Sequence, residues 1–333
     1  MNQAIGLDAF NFTLAGARKG FGPFLGVYLQ HQGFDPARTG FAMSLAGLAG
    51  IAATAPLGAL IDRITAKRAA VVIAVICIAM GALLVVASKQ LWIVAAGQVL
   101  IGVADSSLAP LVAALTLGLV GSQRYVDRVA RNEAFNHAGN AVNAAAAALL
   151  GYCLGLGYVA AAIGVMALAT GAVMLIVDPK RIDHVAARGG NAGDGSTWWC
   201  SRPILLLAGT VYAFQTANGA MLPFIAQALT AQGDDPSLMT GAMSVTAQVS
   251  MIGAALFVPR LSRRVGQRVV LGSALLLVVV RGALAACGPN WWDIAIVQVM
   301  EGLSMGLAGV ATPSLAAEIM AGMGMPVAAS AAS

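Results

Sequence analysis

Residues 58–68 read GALIDRITAKR, which is the end of one long apolar stretch and the turn into the next. The stretches on either side, residues 40–61 and 69–88, are each long enough for an α-helix to cross the roughly 30 Å hydrocarbon layer of a bilayer. The turn from Asp62 to Arg68 is rich in basic residues, which typically flank membrane spans on the cytoplasmic side. This segment therefore predicts a hairpin of two membrane helices.

The composition extends this interpretation to the whole chain. Hydrophobic residues make up 59% of the 333 residues, charged residues 10%, and the mean hydropathy is +0.82. A soluble domain of this length could not bury so much apolar surface. We therefore predict an all-α, polytopic membrane protein. About ten transmembrane helices are expected, at residues 5–30, 40–61, 69–88, 91–119, 132–155, 158–177, 203–230, 239–259, 269–288 and 291–319.

The basic residues indicate how these helices are oriented. If Met1 is cytoplasmic, nearly all loop Lys and Arg residues fall on the cytoplasmic side, and only Arg38 and Lys89 fall on the other. The asymmetry predicts a multi-pass protein of the cell inner membrane with both termini in the cytoplasm. The net charge of +5 forms no continuous basic face, so we predict no nucleic-acid partner.

One connection differs from the short loops between the helices. Residues 179–201 are polar and glycine-rich and carry no helical apolar period, so we interpret them as a cytoplasmic linker. The linker separates an N-terminal six-helix bundle, residues 1–178, from a C-terminal four-helix bundle, residues 202–320. Residues 321–333 are interpreted as a tail.

The two bundles share residues at a constant spacing of 200 positions. An even number of helices separates the copies, so both copies point the same way through the membrane. Parallel repeats of this kind are a transporter architecture, because two similar bundles can rock around a site between them. The matched pairs include Pro23 and Pro223, Asp35 and Asp235, Met43 and Met243, Arg63 and Arg263, Arg68 and Arg268, Trp92 and Trp292, Gln98 and Gln298, and Gly102 and Gly302.

With this repeat, residues 58–68 resemble the loop signature of the major facilitator superfamily, Gly-x-x-x-Asp-Arg/Lys-x-Gly-Arg/Lys-Arg/Lys. The turn has one extra residue, and the turn glycine of the signature is missing, with Ala66 nearby. The resemblance implies a secondary active transporter that moves a small solute by alternating access. It also implies that this loop gates the cytoplasmic side, with the glycine allowing close helix approach and the aspartate capping a helix or pairing with an arginine. A plain basic loop is the alternative interpretation. The gating residues implied are Gly58, Asp62, Arg63, Lys67 and Arg68.

Two departures from the family pattern stand out. Gln98 occupies the place of a fourth-helix arginine found in drug–proton antiporters, and their fifth-helix Gly-Pro element is absent from residues 136–158. Both differences argue against drug–proton antiport. The C-terminal bundle is also two helices shorter than the repeat predicts. The alternative hypothesis is therefore a truncated, non-transporting remnant of the family or a membrane partner protein.

Ionisable side chains at membrane depth are costly and are functional candidates by default. In the family the first, fourth, seventh and tenth helices line the central cavity, which implies a substrate or ion site there. Arg18 could bind an anionic or polyhydroxylated solute or pair with Asp105, which could itself carry a coupled proton. Glu301 could likewise serve as a site or pair with Arg281. The candidate residues are Arg18, Lys19, Gln98, Asp105, Gln215, Asn218 and Glu301.

A polar stripe opens the fifth predicted helix, at a spacing of three or four residues that puts its members on one face. We expect the stripe to face a wet cavity or a partner helix. The four cysteines form no CxxC pair and no catalytic set is evident, so we predict no enzyme activity, no metal and no cofactor. The expected partners are a small-molecule solute and the lipid bilayer, with proton coupling open and a monomer expected. The stripe consists of Glu133, Asn136, His137, Asn140 and Asn143.

Overall fold

The computed structural model describes residues 3–19, 22–121, 125–176, 201–219, 221, 225, 236–286 and 291–322. These residues form eleven α-helices and a 3-10 turn at Leu156–Tyr158. The linker before Ser201 and the tail beyond Gly322 lie outside the described residues. The helices are α1 (Gln3–Lys19), α2 (Gly22–His31), α3 (Pro36–Arg63), α4 (Lys67–Ala87), α5 (Leu91–Val120), α6 (Tyr125–Leu154), α7 (Val159–Ile176), α8 (Arg202–Gly219), α9 (Pro236–Val265), α10 (Gln267–Ala286) and α11 (Trp291–Gly322).

Seven helical segments among the described residues are long and apolar enough to cross a membrane, and they belong to α3, α4, α5, α7, α9, α10 and α11. Large apolar side chains are exposed on their outer surfaces, among them Ile51, Leu168 and Leu175. Exposed apolar surface on this scale is stable in lipid rather than water. The chain is a multi-pass α-helical membrane protein, as predicted. The predicted count of ten helices is not confirmed, because the described residues form eleven.

The first predicted helix, residues 5–30, is divided in the structure. α1 ends at Lys19 and α2 begins at Gly22. Residues 20 and 21 lie outside the described residues, and Pro23, in the first turn of α2, has no backbone N–H to donate to a carbonyl of the preceding helix. The division was missed because apolar residues continue through both helices.

α6 begins at Tyr125, well before the predicted start at residue 132. The charge pattern placed Arg128 and Arg131 in a cytoplasmic loop, whereas the structure places both in the first turns of this helix. Asp8 of α1 accepts hydrogen bonds from both guanidinium groups. Pairing with a neighbouring helix therefore keeps these charged turns helical.

Buried apolar side chains form two separate clusters. The first draws on α1 to α7, and the second draws on α8 to α11. In the first cluster α5 packs against α3 and α4, α7 packs against α4, and α1 packs against α6 and α7. In the second, α9 and α10 both pack against α11. The clusters meet where α6 packs against α9.

Glycines set the closest helix crossings, and two of these are related by the 200-residue spacing. A Cβ atom on Gly102 of α5 would overlap the carbonyl oxygen of Ala46 in α3, and one on Gly302 of α11 would overlap that of Ala247 in α9. Only a residue without a side chain allows backbones to approach this closely. Equivalent crossings of α3 with α5 and α9 with α11 therefore depend on matched glycines.

Candidate functional site

Arg18 of α1 and Asp105 of α5 form a two-point ion pair. Nε donates to Oδ1 at 2.6 Å and Nη2 donates to Oδ2 at 3.3 Å. The side chains are 21% and 30% exposed, so the pair is accessible rather than sealed in the core. At 1.5 Å per residue, Asp105 lies about 20 Å along α5 from its first residue, which is mid-membrane depth. The sequence left open whether Arg18 binds a solute or pairs with Asp105, and the structure contains the pair.

Close packing between α1 and α6 fixes the position of Arg18. A Cβ on Gly139 of α6 would overlap the carbonyl oxygen of Phe12 in α1, and one on Gly16 would overlap the side chain of Asn143. The two helices therefore approach closely over the two turns of α1 that precede Arg18. The side chain of Lys19, the neighbouring candidate, lies outside the described residues.

Arg281 of α10 and Glu301 of α11 form a second ion pair in the other bundle. Nη1 lies 3.4 Å from Oε2, and the exposed fractions of the two side chains are 0% and 14%. Met221 adds a thioether sulfur that accepts from Nε at 2.9 Å and from Nη2 at 2.6 Å. The pairing expected for Glu301 is thus present. Among the described residues, no hydrogen bond or ion pair links it to Arg18 and Asp105.

The amide candidates differ in their surroundings. Gln98 and Asn218 are buried, whereas Gln215 is exposed. Asn218 donates from Nδ2 to the Phe214 carbonyl at 2.9 Å, and its Oδ1 has no partner in the described part of the chain. Gln298 is buried with both amide atoms unpaired in that same part. Buried unpaired amides are costly, so these atoms are available to water or to a polar ligand.

The polar stripe of α6 reaches the second bundle through His137. Its Nδ1 lies 2.8 Å from Oε1 of Gln248 in α9, and its Nε2 lies 3.9 Å from Oε2 of Glu133. Asn136 donates to the same Glu133 oxygen at 3.2 Å, and Asn140 Oδ1 has no partner among the described residues. The stripe therefore faces a partner helix at His137, one of the two environments expected for it.

The residues of the loop signature have separate roles in the structure. Lys67 is buried and its Nζ donates to the Ile61 carbonyl at 2.7 Å, while Arg68 donates from Nε to the Met174 carbonyl at 2.7 Å. Each cation thereby binds a carbonyl at the end of a helix, where the helix dipole is negative. Arg63 is exposed, and the side chain of Asp62 lies outside the described residues.

Gly58, which the resemblance expects to allow close helix approach, makes no close contact in this structure. No heavy atom lies within 4 Å of the position that a Cβ atom would take there. The close approach of α3 to its neighbour occurs instead at Ala46, against Gly102. The signature alone could not locate the crossing, because many small residues occur along α3.

Sequence reasoning missed a network centred on Asp8 of α1. Its carboxylate accepts from Nη2 of Arg128 at 2.7 Å and from Nη2 of Arg131 at 2.6 Å. Arg128 also donates to Asn132, which donates to Thr116 of α5 at 2.9 Å. The network joins the N-terminal parts of α1 and α6 to the C-terminal part of α5. An aspartate within the first apolar stretch was the available signal.

Two buried apolar cores, an accessible ion pair between Arg18 and Asp105 and a buried one between Arg281 and Glu301 are features of a polytopic helical membrane protein. The family profile of the Major Facilitator Superfamily matches residues 9–333. The chain belongs to this superfamily, and it is a membrane transport protein rather than an enzyme.

Relatives and solved structures agree with this assignment. Two uncharacterized MFS-type transporters of Mycobacterium tuberculosis, from strains CDC 1551 / Oshkosh and ATCC 25618 / H37Rv, are each 34% identical over 330 residues, covering 96% of this chain and 79% of the relative. The crystal structure of a mutant of the nucleoside transporter NupG matches with a TM-score of 0.71 at 16% identity, covering 99% of this chain and 86% of that one. The structure of NupG itself matches with a TM-score of 0.67 at 16% identity, covering 100% and 85%. At such identity these two structures establish the fold alone.

Proposed function

We propose that the chain is a secondary active transporter that moves a small solute across the inner membrane by alternating access. The observation that carries the proposal is the ion pair between Arg18 and Asp105. Charged groups at membrane depth are retained where they face a cavity or each other, and this pair is both joined and accessible. The family match and the transporter relatives do not favour the alternative of a non-transporting remnant or partner protein.

The proposed architecture consists of two bundles, residues 1–178 and 202–320, joined by a cytoplasmic linker at 179–201. Two separate buried clusters support this division. Rocking of one bundle against the other would take place at the contact between α6 and α9. The distribution of Lys and Arg supports cytoplasmic termini and an inner-membrane location. A monomer contains both bundles and is the proposed functional unit.

The proposed solute and ion site lies between the bundles near the midplane. A guanidinium ion and several amides favour solutes that are anionic or rich in hydroxyl groups. Asp105 and Glu301 are the proposed sites of a coupled proton, because a carboxylate is the group at this depth that can bind and release one. The proposed site residues remain Arg18, Lys19, Gln98, Asp105, Gln215, Asn218 and Glu301.

The proposed cytoplasmic gate consists of the signature loop, with Gly58, Asp62, Arg63, Lys67 and Arg68. Two of its cations already link helices in the structure: Lys67 binds the end of α3, and Arg68 joins α4 to the end of α7. Contacts of this kind favour the conformation that contains them, which is what a gate requires.

Solute uptake by the purified chain in lipid vesicles tests the function. The panel comprises small organic anions, polyhydroxylated solutes and nucleosides, each measured with and without an inward proton gradient. We expect uptake of at least one solute above that of empty vesicles, and loss of it in Asp105→Asn. Asp35→Asn is the matched control, because Asp35 caps α3 in an exposed position and its loss should leave uptake intact. Uptake equal to that of empty vesicles for every solute would support the remnant hypothesis instead.

A further inference from the structure

A large apolar groove runs between α4 and α7. Its volume is about 1040 Å³, just above the roughly 300–1,000 Å³ of small-molecule sites. The walls are apolar side chains of both helices, and Tyr28 lies at one end. Among the wall residues are Ile76, Met80 and Leu83 of α4, and Leu168 and Leu175 of α7.

The groove exists because α7 carries no bulky side chain along its floor. No heavy atom lies within 4 Å of the position that a Cβ would take at Gly164 or Gly171, and both residues line the groove. The wall residues Leu168 and Leu175 are highly exposed. In a membrane protein, a groove between exposed leucines opens to the acyl chains of the bilayer.

Arg68 lies one helical turn of α4 beyond Val72, which lines one end of this groove. Arg68, Val72, Ile76 and Met80 follow one another at four-residue spacing, so Arg68 lies on the α4 face that forms the wall. Its Nε binds the carbonyl of Met174, directly before the wall residue Leu175. Within the described part of the chain, its Nη atoms have no hydrogen-bond partner. A guanidinium held by one nitrogen presents the others as a fork that matches a phosphate group.

We propose that this groove binds an anionic phospholipid of the cytoplasmic leaflet, with its phosphate at Arg68 and an acyl chain along α4 and α7. The apolar wall selects a lipid over free phosphate, and the arginine selects a negative headgroup. The wall from Val72 to Val86 is about 21 Å long at 1.5 Å per residue, longer than half of the roughly 30 Å hydrocarbon layer. The groove is therefore deep enough for a chain from one leaflet. The proposal uses the proposed orientation, in which Arg68 faces the leaflet that is rich in anionic lipid.

Lipid retention by the purified full-length chain tests this site without any transport assay. The protein is incubated with mixed micelles of phosphatidylglycerol and phosphatidylcholine, and the lipids that remain bound are counted by native mass spectrometry. We expect preferential retention of phosphatidylglycerol. Arg68→Gln should weaken it about fivefold, the factor expected for one basic residue at a membrane surface, whereas Arg68→Lys should weaken it less.

A second variant separates the groove from the arginine. Gly164→Leu fills the floor without touching Arg68 and should lower retention to the level of Arg68→Gln. Gly209→Leu and Arg63→Gln are the matched controls, because Gly209 also has open space around it and Arg63 is an exposed cation on the same side. Equal retention of phosphatidylglycerol by wild type and Gly164→Leu, or of both lipids by wild type, would overturn the proposal. Either result leaves solute transport as a separate question.

Discussion

Arg281 and Glu301 form an ion pair in the second bundle, whereas the equivalent positions of the first bundle hold a glycine in contact with an isoleucine. The residues 200 positions earlier are Gly81 and Ile101, and a Cβ on Gly81 would lie 2.6 Å from Cγ1 of Ile101. The second bundle has thus replaced an apolar contact with a buried ion pair at the equivalent crossing of two helices. A buried pair contributes little net stability, but breaking it leaves an uncompensated charge.

This relationship predicts that a second substitution restores the stability that the first one removes. Glu301→Ile leaves Arg281 fully buried without its carboxylate and should destabilise the protein by about 3–5 kcal/mol. The double variant Arg281→Gly with Glu301→Ile recreates the arrangement of the first bundle and should recover most of that loss. Denaturant unfolding in detergent measures both. A double variant as unstable as the single one would show that the two crossings are not equivalent.

Exchanging the charges of Arg18 and Asp105 separates structure from function. Each single variant, Arg18→Asp or Asp105→Arg, places two like charges together and should lower stability. The double exchange restores an ion pair and should recover stability but not solute uptake, because the guanidinium then projects from the other helix. Full recovery of uptake would mean that the pair is structural, and would remove both residues from the proposed site.

The network at Asp8 should depend unequally on its two arginines. Arg128 is 8% exposed and Arg131 is 56% exposed. Arg128→Ala removes the buried partner of the buried Asp8, and should cost about 3–5 kcal/mol. Arg131→Ala removes a half-exposed partner and should cost about 1 kcal/mol or less. Equal losses on unfolding in detergent would contradict the difference in burial.

Gly302 should tolerate no side chain. Gly302→Ala puts a methyl group into the carbonyl oxygen of Ala247, and overpacking of this kind costs about 1–3 kcal/mol. Gly209→Ala is the matched control in α8, where nothing lies within 4 Å. It should stabilise the protein by about 0.5–1 kcal/mol, because alanine restricts the unfolded chain. Thermal unfolding of the two variants side by side should shift in opposite directions.

The sequence predicted the membrane class and the helical hairpins because hydropathy and loop charge act locally. Both ion pairs were among the options that it left open, since few buried charges exist to pair. It could not predict that Arg128 and Arg131 belong to a helix. Both arginines pair with Asp8 of α1, and the distribution of charges along the sequence does not show which residues of other helices a charge will contact. Nor could it predict the contact of His137 with Gln248, which joins residues 111 positions apart across the boundary between the bundles.

Lys67 is 1% exposed and its ammonium group is bound to the Ile61 carbonyl. Its amine is therefore shielded from reagents on either side of the bilayer, whereas Lys89, beyond the other end of α4, is exposed. An impermeant amine label should modify Lys89 from one side only and leave Lys67 untouched until the protein unfolds. Lys67 would therefore fail to react from either side because it is buried, and its lack of labelling would not show on which side of the membrane it lies. A cysteine placed at the exposed Thr65 would react with a thiol label and would identify the side of the membrane on which this loop lies.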